Sequence, residues 1–140
     1  MGFPRACLGF VSATAVALGG VLVAAVPSNA QGPLHNVKYT VFAEEPFFAE
    51  IYYRDVDPPN WAEYSHNPYL YTPNVEAQVG PDQQWVLDVQ LANPDRWAMV
   101  VASAPDTARV PNLHCVLAVD GVVVKTAQGP KGALCSIRSW

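Results

Sequence analysis

The sequence predicts an all-β protein, an immunoglobulin-like β-sandwich of seven or eight strands. Three observations carry this. Short apolar/polar alternations recur along the chain, turn signals rich in Gly, Pro, Asn and Asp separate them, and no heptad or long amphipathic helix interrupts the series.

The first thirty residues stand apart. Arg5 precedes an apolar run from Ala6 to Val26, followed by Pro27, Ser28, Asn29 and Ala30. A positive start, an apolar middle and a small-x-small site mark residues 1–30 as a secretory signal peptide. The run is also long enough to act as an uncleaved anchor, but Pro27 breaks the helix and Ser28 and Ala30 suit a peptidase. The expected mature product is a single β-sandwich domain, residues 31–140, with no stable transmembrane anchor after cleavage. It is expected to be secreted, periplasmic or in the cell envelope.

Val37, Tyr39 and Val41 alternate with Lys38 and Thr40, giving a half-buried first strand. The second runs from Phe47 to Arg54, with Ala49, Ile51 and Tyr53 inward and Glu50, Tyr52 and Arg54 outward. Asp57-Pro58-Pro59-Asn60 ends it, because consecutive prolines cannot serve a hydrogen-bond ladder. Residues 57–74 read as irregular, and strands resume at Val75–Val79 and Gln84–Leu91. Trp97–Ala104 is apolar on both faces and reads as a central strand. Leu113–Val119 and Val122–Ala127 flank Asp120-Gly121, the strongest hairpin signal in the chain. Gly129-Pro130-Lys131-Gly132 reads as a hairpin turn into a last strand, Ala133–Arg138.

Cys115 and Cys135 form an even pair in a chain expected to be exported, which points to one structural disulfide. Closing that loop is worth roughly 3 kcal/mol on a chain-entropy basis. Both cysteines fall on apolar strand faces. In a simple three-strand meander the middle strand would hold them about two strand spacings apart, roughly 9.5 Å, beyond disulfide reach. The final strand should therefore leave the hairpin's sheet and face Cys115 from the other one, or pair beside it on its other side.

Composition narrows the function. Without Arg5 the remaining 7 basic and 12 acidic residues leave a net charge of −5. The basic residues are scattered, so no nucleic acid is expected as a partner, and adsorption to an anionic membrane has equally little support. His35, His66 and His114 lie far apart, and no metal is expected. No serine sits in a Gly-x-Ser-x-Gly elbow. The carboxylates of Asp55, Asp57, Glu44 and Glu45 read as solvated turn residues. The chain is not expected to be an enzyme or to need a cofactor.

The functional lead is aromatic. Phe48, Tyr52, Trp61, Tyr64, Tyr69 and Tyr71 come from one outward strand side and the irregular loop. Such side chains combine large apolar contact with a polar tip. They read either as a ligand or partner surface or as a plug that the loop folds into one end of the sandwich.

Three stretches carry a resemblance. They are Val37-Lys38-Tyr39-Thr40-Val41-Phe42 with Ala49-Glu50-Ile51-Tyr52-Tyr53-Arg54-Asp55, then Cys115-Val116-Leu117-Ala118-Val119-Asp120-Gly121-Val122-Val123-Val124, then Cys135. In order and spacing the chain resembles the MmpS family of mycobacterial exported proteins. The resemblance implies a β-sandwich outside the inner membrane and an accessory role beside an MmpL-type lipid exporter, with envelope lipids or siderophores as substrates. Members usually keep an N-terminal membrane helix, and the Asp57–Asn74 loop is longer than their pattern. Both departures point to a soluble relative that binds an envelope lipid. The alternative is a secreted interaction or structural module for an envelope protein, with no small ligand.

Overall fold

The computed structural model describes residues 32–104 and 108–139, together with Gly2. The chain divides into two units, Met1–Ala30 and Gln31–Trp140. The signal-peptide reading of residues 1–30 falls, Gly2 aside, outside the described residues.

Eight strands build two antiparallel four-stranded sheets. They are β1 (His35–Ala43), β2 (Phe47–Tyr53), β3 (Asn74–Val79), β4 (Trp85–Leu91), β5 (Met99–Ser103), β6 (Leu113–Val119), β7 (Val122–Gly129) and β8 (Gly132–Ser136). Sheet A has the order β4-β1-β6-β7 and sheet B the order β3-β2-β5-β8. Alternation dictates the layering: Val37, Tyr39, Val41 and Ala43 of β1 are fully buried, as are Ala49 and Ile51 of β2 and Leu113 and Leu117 of β6. β1 sits inside its sheet, with Val37 opposite Val89 on one side and Val119 on the other.

The disulfide joins the layers. Cys115 on β6 and Cys135 on β8 are bonded, with Cα atoms 6.0 Å apart. β8 pairs with β5, Val100 opposite Cys135, and not with β7. The last strand has left the hairpin's sheet, one of the two placements that the reach argument allows. Asp120 and Gly121 both take positive φ, 50° and 82°, at the β6–β7 turn.

Four expectations about the chain path and burial need correction. Gly129-Pro130-Lys131-Gly132 is no hairpin turn, because its two strands lie in different sheets. It is a crossover, held by Asn112 N–H donating to the Pro130 carbonyl at 3.1 Å and Ala104 N–H to that of Lys131 at 3.0 Å.

Trp97 does not begin a strand. Pro94 opens a single helical turn, α2 (Pro94–Trp97), and β5 starts at Met99. Proline at the first helical position lacks only an N–H that would have had no partner there.

Residues 57–74 are partly helical. They hold α1 (Trp61–His66) and a 3-10 helix (Pro68–Tyr71). The Asn60 side chain accepts from Glu63 N–H at 2.8 Å, an N-cap that stabilises so short a helix.

Arg54 does not face solvent. It is fully buried, because the α1 segment and Trp97 cover the face it was expected to expose.

Candidate functional site

The site is built on the outer face of sheet B. Phe48, Glu50 and Tyr52 project outward from β2, and Tyr52 stands opposite Asn74 of β3 and Val101 of β5. The Tyr52 hydroxyl donates to Glu50 Oε1 at 2.6 Å, and Asn74 Nδ2 donates to the same oxygen at 3.2 Å. The carboxylate beside it raises the Tyr52 pKa, and desolvation adds to the shift. The phenol therefore stays neutral and its ring is held in one orientation.

The connection from β2 to β3 carries α1 and the 3-10 helix over this face. Between them lies a groove of about 290 Å³. Met99 and Val101 line it from β5, and Tyr52, Tyr64 and Tyr69 supply aromatic walls. Pro68 and Thr72 complete the lining. The surface is therefore apolar, with hydroxyl groups set into it, which suits an amphipathic ligand.

A buried cation sets the walls. The Arg54 guanidinium lies 4.4 Å from the Tyr64 ring centroid and 5.6 Å from that of Trp97. It donates from Nη1 to the Trp97 carbonyl at 3.1 Å and from Nη2 to Thr72 Oγ1 at 3.4 Å. Burial lowers its pKa and Tyr64 and Tyr39 oppose the shift; a guanidinium remains charged regardless. Trp61 packs on Tyr64 and Trp97 at centroid distances of 5.3 Å and 6.0 Å, and Arg138 caps Trp61 at 4.3 Å. Cations over aromatic faces are attracted by the ring quadrupole, so Arg54 and Arg138 clamp the α1 segment against the sheet.

The six aromatics thus separate. Tyr52, Tyr64 and Tyr69 meet in the groove, and Trp61 stands behind Tyr64 in the clamp. Phe48 lies farther along β2, opposite Gln78 and 57% exposed. Tyr71 is half-buried and outside the groove lining. The loop is therefore part plug and part open surface: Tyr64 packs inward on Arg54, Trp61 packs on Tyr64 and Trp97 while still 39% exposed, and Tyr69 is 85% exposed. Sequence reasoning missed Arg54, Thr72, Trp97, Met99 and Val101. One signal was available, since Asn60-x-x-Glu63 is a helix-start pattern that would have turned Trp61 and Tyr64 onto a common element.

Asp57, His35 and His114 have structural roles. Asp57 is no solvated turn residue: its two carboxylate oxygens accept from Ala92 N–H and Asn93 N–H, each at 2.8 Å. His35 contacts Asp120, and His114 stacks on Phe42 with centroids 4.7 Å apart while facing Glu44. Among the described residues no three His, Cys, Asp or Glu side chains gather as a metal site would need. No helix among them is long and apolar enough to cross a membrane.

Comparison with known proteins adds kinship. The family model of the Rv2576c beta-sandwich domain matches residues 39–135. Uncharacterized protein Rv2576c of Mycobacterium tuberculosis is 35% identical over 130 residues, covering 93% of this chain and 82% of that protein. Uncharacterized protein Mb2606c of Mycobacterium bovis matches with the same identity and coverage.

Proposed function

The chain belongs to the family of the Rv2576c beta-sandwich domain, and on that premise we propose that it is an exported, noncatalytic binding or accessory protein of the mycobacterial cell envelope. Its groove on sheet B holds the apolar part of an envelope lipid or siderophore. The observation that carries this reading is the convergence of Tyr52, Tyr64 and Tyr69 over Met99 and Val101. The resemblance to the MmpS family supports a place beside an MmpL-type transporter. The signal-peptide pattern and the inter-sheet disulfide favour an oxidising compartment outside the cytoplasm.

The test is lipid capture. The native chain is recovered under mild conditions and its bound small molecules are identified by mass spectrometry. Tryptophan emission is then followed as envelope lipid extract is added, since Trp61 and Trp97 both contact the Tyr64 wall. A co-purifying lipid and a saturable change, both reduced by Val101→Phe, are expected. Finding neither removes the ligand reading.

A second reading rests on β7. This sheet-edge strand exposes Val122, Val123 and Val124 at 64%, 57% and 44%. An envelope protein could add a strand there. Capture of one defined envelope partner, lost on Val123→Lys but kept on Val101→Phe, would favour it.

A further inference from the structure

The 3-10 helix presents its most apolar residue away from the groove and into solvent. Leu70 is 71% exposed and its neighbour Tyr69 85% exposed. Water is a poor setting for this group, and packing within the fold does not cover it. The charge pattern is equally uneven. In a domain of net charge −5, no Asp, Glu, Lys or Arg occurs between Glu63 and Glu76.

An uncharged projection bearing Tyr69 and Leu70 has the composition that settles at a bilayer's headgroup level, where ring bodies meet acyl chains and polar tips meet water. The net negative charge disfavours an anionic surface. Tyr69 belongs to both features, since it lines the groove and forms the projection. Contact at the projection would therefore place the groove's edge against lipid.

We propose that the Pro68–Tyr71 turn docks on the headgroup layer of a zwitterionic lipid surface, with Leu70 inserted and the tyrosine-walled groove opening beside it. This rests on the lipid-binding reading in one respect only, that the groove receives what the surface supplies. Docking reversibly orients the domain with sheet B toward the membrane and β7, in the other sheet, outside the contact.

The test uses the full chain and hydrogen exchange read by mass spectrometry, which localises contact by segment. With phosphatidylcholine vesicles, amides of residues 67–73 should exchange more slowly, and less so when the vesicles carry phosphatidylglycerol. Leu70→Asp should weaken that protection by about tenfold or more, as expected for losing a buried leucine side chain. Monomeric dodecylphosphocholine, which offers a chain without a surface, should still protect the Met99–Val101 segment in Leu70→Asp. Unchanged exchange over 67–73, with or without association of the chain with vesicles, overturns the proposal, and so does protection centred on β7. If vesicles protect 67–73 but dodecylphosphocholine leaves the groove unprotected, docking stands and the ligand reading fails.

Discussion

The Tyr39 hydroxyl donates to the main-chain carbonyl of Arg54 at 2.7 Å, inside the core. It also accepts from Met99 N–H at 3.3 Å. One phenol on β1 of sheet A thus ties together the end of β2 and the start of β5, the strand ends that carry the groove floor. Tyr39→Phe leaves two buried main-chain groups without that partner and should cost about 1–3 kcal/mol. The pH dependence has a definite sign. Burial, the leading cause, raises the Tyr39 pKa above its ordinary value. Its contribution is complete below about pH 10, the unfolded value, and is lost as pH rises toward the folded value. Denaturant midpoints measured from neutral to alkaline pH should fall less steeply in Tyr39→Phe. Equal slopes would remove the hydroxyl from this role.

Arg54 itself is the second target. Its fork serves the Trp97 carbonyl and Thr72 at once while lying on the Tyr64 ring. A lysine keeps the charge but offers a single ammonium in place of a planar fork. Arg54→Lys should cost about 1.5–3 kcal/mol, and α1 should loosen first. Faster proteolysis or hydrogen exchange across residues 61–72, with β1 and β6 unchanged, is the expected signature. Uniform destabilisation would mean that Arg54 acts on the whole core and not on the groove wall.

How much of this was legible in the sequence divides along a physical line. Two-residue periodicity reports which side of a strand meets the core, so Val37, Tyr39, Val41, Cys115 and Cys135 could all be placed by phase, and the reach of a disulfide ruled out a meander and left two places for β8, of which the fold takes the other sheet. Phase assumes that the opposite side meets water. At Arg54 it does not, because a segment inserted between β2 and β3 covers it, and a cation reads as outward until its cover is known. Trp97 failed for a related reason: apolar residues on both sides fit a central strand and a buried helical turn alike, and Asn93-Pro94 was the only hint between them. Tyr52, Tyr64 and Tyr69 were identifiable as amphipathic residues, but Met99 and Val101 looked like ordinary core until tertiary structure set them under the tyrosines.

The disulfide should contribute strongly because it spans the layers. Cys115 and Cys135 are 1% and 0% exposed and join strands of opposite sheets. Replacing both by alanine should cost about 2–5 kcal/mol. For a domain of this size that lowers Tm by on the order of 10–20 °C. Calorimetry of the double variant against the oxidised wild type checks this. A fall of only a degree or two would show that the two sheets hold together without it.

Gly129 closes the crossover between sheets. A Cβ added there would lie 2.2 Å from the Gly132 carbonyl oxygen, a backbone atom that cannot swing aside. Gly129→Ala should therefore cost about 1–3 kcal/mol, the usual range for overpacking. Gly121 sits in open space but at φ 82°, so Gly121→Ala is disfavoured by conformation alone. The two variants separate on inspection of β8: Gly129→Ala should increase hydrogen exchange over residues 132–136, whereas Gly121→Ala should affect only the β6–β7 tip.

The acid limb of stability should pass through Asp120. Its carboxylate contacts His35 Nδ1 at 2.7 Å and accepts Asn36 N–H at 2.9 Å. The His35 contact first, and the Asn36 bond second, hold its pKa below the usual carboxylate value. The folded state therefore binds its proton less readily than the unfolded chain. That contribution is present above about pH 4, the unfolded value, and is lost as pH falls through the lowered folded value. Asp120→Asn removes the titration and keeps a residue type that tolerates the positive φ of this turn. Tm measured between neutral pH and about pH 3 should fall less in the variant than in the wild type, and high salt should narrow the gap because the site is exposed. Some acid sensitivity should persist, since Asn112 and then His114 also hold Glu44 below its ordinary value. Identical acid profiles for the two proteins would place the acid-labile contact elsewhere than the β6–β7 turn.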